Sequence, residues 1–331
     1  MNTNIDKIAI VRLSALGDII NSAVVVQFIK EHYPNAAIEW ITEELFAEAL
    51  KPLKELQNVH TVNLKALKKQ KSVALLMQNI KKLRTLGEYD IIIDMQGLIK
   101  SAVVARLIGK NTHGFDKDST RESLAALFYK SSSHIAYSEN VIKRNCYVVG
   151  DALGFEITDA MLLTKKAVFA ITQEFSLTAA KKNVAFVIGA SWESKIYPKE
   201  QIVKICNALD AACYIIWGNE KEKHDAEWIC ARSENAILAP AMDLETLISF
   251  ISHMNLLIGN DTGPTHIAWA QNIASITLLG PTNRRMIYET PNNIAIESPS
   301  EVNIMKINKN DFSIGEIPYE TVLKKAKELL E

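Results

Sequence analysis

Short, unbroken apolar runs recur along this chain, separated by longer stretches in which apolar residues return every three or four positions. The first run, Ile8-Ala9-Ile10-Val11, has no polar alternation and predicts a strand buried on both faces. It breaks at the turn Arg12 to Asp18, and a helix is predicted from Ile19 to His32, stopped by Pro34. Strands follow at Ala37–Ile41, Val59–Val62 and Asp90–Asp94, the last leading through Met95-Gln96-Gly97-Leu98 into a helix from about Ile99. The pattern then restarts. Val184–Ile188 leads into Gly189-Ala190-Ser191 and a helix carrying Ile202, Ile205 and Leu209. Cys213–Trp217, Leu256–Ile258 and Ser275–Leu279 supply further strands.

Apolar strands alternating with helices predict an α/β fold with parallel, doubly wound sheets. The recurrence predicts two such Rossmann-like domains facing a cleft, over residues 1–160 and 161–315. A last helix, within 316–331, is expected to pack back on the first domain. Ligands of such sheets bind beyond the carboxyl ends of the strands, and the turns rich in chemistry all fall there: Ser14–Asp18, Asp94–Gly97, Gly189–Lys195, Gly218–Glu222, Gly259–His266 and Gly280–Thr282. Turns also collect polar residues for purely conformational reasons.

One turn is denser than the rest. After the strand, Gly259-Asn260-Asp261-Thr262-Gly263-Pro264-Thr265-His266 opens a helix, with Pro264 where a first turn tolerates it. Free N–H groups and the helix dipole there suit an anion; a simple Asp/Thr cap is the plainer account. Asp18 has the same two readings, a cap for the helix that follows or a carboxylate able to take a proton from a hydroxyl. Lys195 could reach a diphosphate or be solvated. Glu222 could accept from ribose hydroxyls or belong to a charged surface. Arg121 and Arg144 are candidates for gripping an acidic group.

Composition narrows the class. With 48% hydrophobic and 23% charged residues in 331, the chain is an ordinary globular protein, long enough for two cores. No apolar run has the length of a membrane span, and Met1 to Lys7 lacks a signal-peptide core, so a cytoplasmic location is expected. Cys146, Cys206, Cys213 and Cys230 have no metal spacing and read as buried thiols. A formal net charge of −1 gives no reason to expect nucleic acid. The first half is mildly basic and the second mildly acidic. Between Thr61 and Arg84 stand Lys65, Lys68, Lys69, Lys71, Lys81, Lys82 and Arg84 with no acidic residue, either a solvated face or a patch for anionic lipid headgroups. A nicotinamide dehydrogenase would want Gly-x-Gly-x-x-Gly after the first strand, where this chain has Ser-Ala-Leu-Gly-Asp; a Walker loop is also missing. A non-catalytic two-domain sugar-binding protein shares the outline, but that class is normally exported.

Val11-Arg12-Leu13-Ser14-Ala15-Leu16-Gly17-Asp18, Asp94-Met95-Gln96-Gly97-Leu98, Gly259 to His266 and Leu279-Gly280-Pro281-Thr282 together resemble the lipopolysaccharide heptosyltransferases, over nearly the whole chain. Asp118–Tyr129 and Lys195 with Tyr197-Pro198 are most similar to the heptosyltransferase I branch. The resemblance implies a glycosyltransferase of the B-type fold, transferring L-glycero-D-manno-heptose from ADP-heptose to a Kdo residue of the lipid A inner core. The branch adding the second heptose is the alternative. It implies Asp18 as general base and Lys195 as a second catalytic group. Ser191, Lys195, Glu222, Met242, Asp261, Thr262, Gly263 and His266 would hold the donor, with Arg12, Ser14, Arg121 and Arg144 toward the acceptor. Asn21 stands where many relatives carry His, and Arg12 where they often have Lys. No metal is called for, since Asp94 and Asp261 are isolated carboxylates, and no cofactor beyond the donor. A monomer in peripheral contact with the anionic cytoplasmic face of the inner membrane is expected.

Overall fold

The computed structural model describes residues 5–331 apart from 71 and 179, and the side chain of Lys68 is likewise outside the description. The chain forms two compact units, Met1–Val168 and Phe169–Glu331.

In the first unit six parallel strands form one sheet: β1 (Lys7–Val11), β2 (Ala37–Glu43), β3 (Asn58–Val62), β4 (Ile91–Asp94), β5 (Thr112–Phe115) and β6 (Ser131–Ser133), in the order β3-β2-β1-β4-β5-β6. Its helices are α1 (Leu16–Ala23), α2 (Val25–His32), α3 (Leu64–Gln70), α4 (Val73–Arg84), α5 (Ile99–Ile108), α6 (Val141–Leu153) and α7 (Asp159–Leu163). β1 lies in the middle, and its Ile8, Ala9, Ile10 and Val11 are fully buried. Ala9 and Val11 pack on Leu83 of α4 and Val104 of α5. The helix predicted from Ile19 to His32 is two helices meeting at Val24. The Ser22 hydroxyl donates to the Asp18 carbonyl at 2.6 Å, a back-bond that competes with the helix ladder and bends it.

The second unit repeats the plan. Its strands are β7 (Lys182–Val187), β8 (Ala211–Ile216), β9 (Ala236–Leu238), β10 (Leu256–Asn260), β11 (Ala274–Leu279) and β12 (Asn293–Glu297), in the order β12-β11-β10-β7-β8-β9. The helices are α8 (Lys199–Ala208), α9 (Glu220–Cys230), α10 (Leu244–Ser252), α11 (Gly263–Ala270) and α12 (Tyr319–Leu330). Counted within its own unit, each sheet has the order 3-2-1-4-5-6, which reverses direction between the first and fourth strands. The carboxyl ends of β1 and β4, and of β7 and β10, are therefore the places where each sheet opens a crevice.

Two expectations about the chain's division need correcting. Residues 161–168 belong with the first unit, because Leu162 is buried there and the Lys166 N–H donates to Gln27 Oε1 at 3.0 Å. The second unit is already engaged at Phe169, whose N–H donates to Gln271. Helix α12 falls within the second unit. It lies on α8, and its Val322 and Ala326, both 0% exposed, complete the second core with Phe186, Ile258 and Ile276. Among the described residues no helix is long and apolar enough to cross a membrane.

Candidate active site

In the first unit, β1 and β4 deliver two turns to the same crevice. Asp18 is the third residue of α1 and reaches back, its Oδ2 accepting the Ala15 N–H at 3.1 Å. It thus closes the helix start from inside the first turn rather than as the N-cap residue. Its Oδ1 meets Arg12 Nη2 at 3.0 Å, and the Asp18 side chain keeps 28% of its surface open. Arg12 is buried, and its Nη1 donates to the Met95 carbonyl. The guanidinium is thus turned toward Asp18, not left free in the crevice.

The β4 turn is built on Asp94, which is 0% exposed. Its Oδ1 accepts the Gln96 N–H at 2.8 Å and its Oδ2 the Tyr129 hydroxyl at 2.7 Å. Burial pushes this carboxyl up, against the pull of Tyr129 and Ser101. Gln96, so placed, accepts the Leu13 N–H and donates to Ser14 Oγ. Lys100 Nζ also donates to Ser14 Oγ, at 3.0 Å. A cavity of about 660 Å³ opens beside Ser14, lined by Glu43, Phe46, Asn63, Lys65 and Lys100. Burial raises the Glu43 pKa, with Lys100 opposing it.

Two arginines expected at an acceptor part company. Arg121 is exposed on the loop after β5 and, among the described residues, makes no side-chain hydrogen bond or ion pair. Arg144 is a correction. It is buried, donating to the carbonyls of Ile135, Ala136 and Ser119 and lying over the Phe115 and Tyr137 rings. A buried guanidinium that spends three of its five donors on these carbonyls holds the 116–136 loops together rather than standing open in the crevice.

In the second unit the helix N-terminus predicted at Thr262 is present. Thr262 is the N-cap of α11 in extended conformation, no side chain caps it, and Pro264 sits in the first turn. Asn260 fixes the approach: its Nδ2 donates to the Val187, Ile188 and Gly189 carbonyls, and its Oδ1 accepts the Tyr197 N–H. Thr265 Oγ1 donates to the Asn260 carbonyl at 2.6 Å, a contact that a Cβ at residue 259 would obstruct at 2.6 Å. Only glycine fits there.

Asp261, 3% exposed, links the rest. Lys195 Nζ donates to its Oδ2 and to its carbonyl, both at 2.7 Å, and His266 Nε2 lies 3.1 Å from its Oδ1. Burial alone would raise the Asp261 pKa; the Lys195 ammonium and His266 override it and hold the carboxyl well below the usual carboxylate range. The result is an ion pair, Lys195 with Asp261, held at a helix N-terminus whose first-turn N–H groups and dipole favour an anion such as a diphosphate. Lys195 also lies over the Trp192 ring, as does Lys309, at 5.2 and 4.6 Å.

Glu222 is the third residue of α9. It accepts the Gly218 N–H and the Asn219 side-chain amide, both at 2.7 Å. Its carboxylate would collide at 2.3 Å with any Cβ on Gly189, which brings it onto the β7 turn. Ser191 is exposed in that turn, and Met242 is half-buried ahead of α10. Among the described residues no group of three or more His, Cys, Asp or Glu side chains is placed to hold a metal ion. Asn260 and Gln96 stand inside the motifs read from the sequence without having been singled out as site-builders, and Lys100 follows two residues after one of them.

Comparison with known proteins adds the following. The model of glycosyltransferase family 9 (heptosyltransferase) matches residues 76–310. The lipopolysaccharide heptosyltransferase 1 of Campylobacter coli is 37% identical over 342 residues, covering 98% of each chain. That of Escherichia coli K12 is 26% identical, over 91% of this chain and 96% of its own. Among solved structures, E. coli heptosyltransferase WaaC with ADP-2-deoxy-2-fluoro heptose superposes with a TM-score of 0.80 at 22% identity, over 97% of this chain and 99% of that one. A family 9 glycosyltransferase from Veillonella parvula gives 0.82 at 19% identity, over 100% and 98%.

Proposed function

The chain belongs to glycosyltransferase family 9, the heptosyltransferases, and from that premise we propose that it transfers L-glycero-D-manno-heptose from ADP-heptose to a Kdo residue of the lipid A inner core. The fold is the B-type glycosyltransferase fold of two Rossmann-like units. The heptosyltransferase 1 names of the full-length relatives favour the first-heptose step.

The observation that carries the reading is the Lys195–Asp261–His266 cluster at the N-terminus of α11. In the proposed reaction the acceptor hydroxyl attacks the anomeric carbon, the bond from that carbon to the phosphate oxygen breaks, and ADP leaves with the electron pair. A diphosphate leaves as a stabilised anion, so one carboxylate suffices where a glycosidase needs two. Charge building on it would meet Lys195, the first-turn N–H groups near Thr262 and Gly263, and the helix dipole. Such preorganised donors are typically worth about 3 kcal/mol each. Asp18 takes the acceptor proton; its partly open carboxylate and its hold on Arg12 and the Ala15 N–H support that role. A single displacement inverts the anomeric centre.

For the acceptor, Ser14, Lys65 and Lys100 offer polar and cationic groups in a cavity that Glu43 and Glu44 also line, and Arg121 is exposed on the loop after β5. The basic stretch from Lys65 to Arg84 suits an anionic inner-membrane surface on the cytoplasmic side; Lys71 and the Lys68 side chain lie outside the described residues. Transfer assays with ADP-heptose against two acceptors, one ending in Kdo and one already bearing a heptose, test the proposal. Turnover of the Kdo acceptor alone is expected. Turnover of only the heptosylated acceptor would move the enzyme one step later.

A further inference from the structure

Two pairs of exposed apolar side chains stand on elements of the first unit that both pack against α5. The 3-10 helix Ser123–Phe128 turns Ala125 inward and leaves Leu124 and Leu127 60% and 80% exposed. With three residues per turn these two leucines stand one above the other. On α4, Val73 and Met77 are 73% and 59% exposed; four residues apart, they too share a face, while Leu83 on the same helix is buried in the core. Helix α5 packs against both elements, and its first turn bears exposed Ile99 and Lys100. In a parallel sheet the helix after a strand starts at that strand's carboxyl end, so the first turn of α5, whose Lys100 donates to Ser14 Oγ, borders the crevice of Asp18 and Ser14.

Large aliphatic side chains exposed in pairs on two elements that pack on the same helix mark an interaction surface, and the charge around them says with what. The stretch from Thr61 to Arg84 has seven cations and no anion, and exposed Lys100, Arg121 and Lys130 flank the leucines. The nearby Glu122 carboxylate is taken up by the Ile99 N–H at 2.8 Å. Apolar side chains rimmed by cations match the anionic headgroup layer of a bilayer and the acyl boundary beneath it.

We propose that Leu124 and Leu127, with Val73 and Met77, form an apolar wedge that inserts into an anionic lipid surface. This extends the reading of the acceptor as a lipid-borne sugar from electrostatic contact to insertion, and sets the crevice mouth against the membrane.

The test is partition of the full-length protein onto vesicles of phosphatidylcholine and phosphatidylglycerol, at low and high salt and without donor. Leu124→Ser/Leu127→Ser should bind about tenfold more weakly than wild type. Because screening removes only the charge contribution, the deficit should persist at high salt. Val73→Ser/Met77→Ser, on a separate element, should show the same kind of loss. Leu163→Ser, 56% exposed on α7, should bind like wild type. Equal partition of wild type and both double variants would overturn the proposal, as would a wild type that ignores the vesicles. So would light scattering in which wild type self-associates and the leucine variant does not, with vesicle binding unchanged, since the face would then be a protein interface. Transfer to a water-soluble, acyl-free acceptor is read separately and should be unaffected in the double variants, so failure of the heptosyltransfer reading registers in a different assay.

Discussion

Replacing Lys195 by Met keeps an apolar stem of similar length and deletes the ammonium that lies over Trp192 and pairs with Asp261. The Lys195 side chain is 11% exposed and that of Asp261 only 3%, so the variant strands a buried carboxylate with the His266 ring as its remaining side-chain partner. Breaking such a pair costs about 3–5 kcal/mol, a fall in the melting temperature of the second unit of roughly 10 °C. The penalty should depend on pH with a definite sign. In wild type the depressed Asp261 pKa gives stability that is present above the ordinary carboxylate range and lost only in strong acid. In the variant burial goes unopposed by the lysine and the pKa rises, so protonation relieves the strain; the deficit is largest near neutrality and shrinks as pH falls toward 5. Urea unfolding of the second unit at several pH values reads this. Calorimetric titration with ADP reads the other half. Charge-assisted hydrogen bonds contribute roughly 1.5–3 kcal/mol, so ADP should bind about tenfold to a hundredfold more weakly. A variant that loses stability but binds ADP within twofold of wild type would make Lys195 a structural residue only and refute its place in the diphosphate site.

Asp18→Asn should lower transfer by about a hundredfold to ten-thousandfold with ADP affinity unchanged; near-normal turnover would remove Asp18 as the base. Arg144→Lys should destabilise the first unit by about 3 kcal/mol, since three buried carbonyls lose well-placed donors, and leave the acceptor Michaelis constant of the folded fraction unaltered; a selective rise in that constant would restore Arg144 to the acceptor site. Glu39 is buried, which alone would raise its pKa, but Tyr89, His60, Asn58 and Lys7 lower it from 4.5 to about 2. Its stabilising contribution is present above the unfolded value and lost as pH falls from about 4.5 toward 2. Glu39→Gln should therefore flatten the acid limb of the urea midpoint, and an unchanged limb would contradict the assignment.

The fold was readable where strands are buried on both faces. β1, β4, β7, β8, β10 and β11 announce themselves as apolar runs, and α12 runs from Tyr319 to Leu330 as its periodicity indicates. Strands β5, β6, β9 and β12 were not foreseen. Thr112–Phe115 and Ser131–Ser133 are short and polar, and their pairing comes from tertiary context that local pattern does not carry. Pattern also could not place α12, whose apolar stripe fits either core. At the site, the helix start at Thr262 was legible because a strand, a glycine-rich turn and a first-turn proline have a fixed geometry. The burial of Arg144 was not legible because an arginine that feeds three backbone carbonyls looks, in sequence, like one that awaits a ligand. Asn260 was passed over because its task, stitching the end of β7 to that of β10, exists only once the two strands lie side by side.

The most direct measurement is the electron density of ADP in crystals of the intact protein. The diphosphate should lie on the N–H groups at the start of α11, beside Lys195 and between the ends of β7 and β10. A diphosphate seated elsewhere, with that helix start left to solvent, would contradict the account.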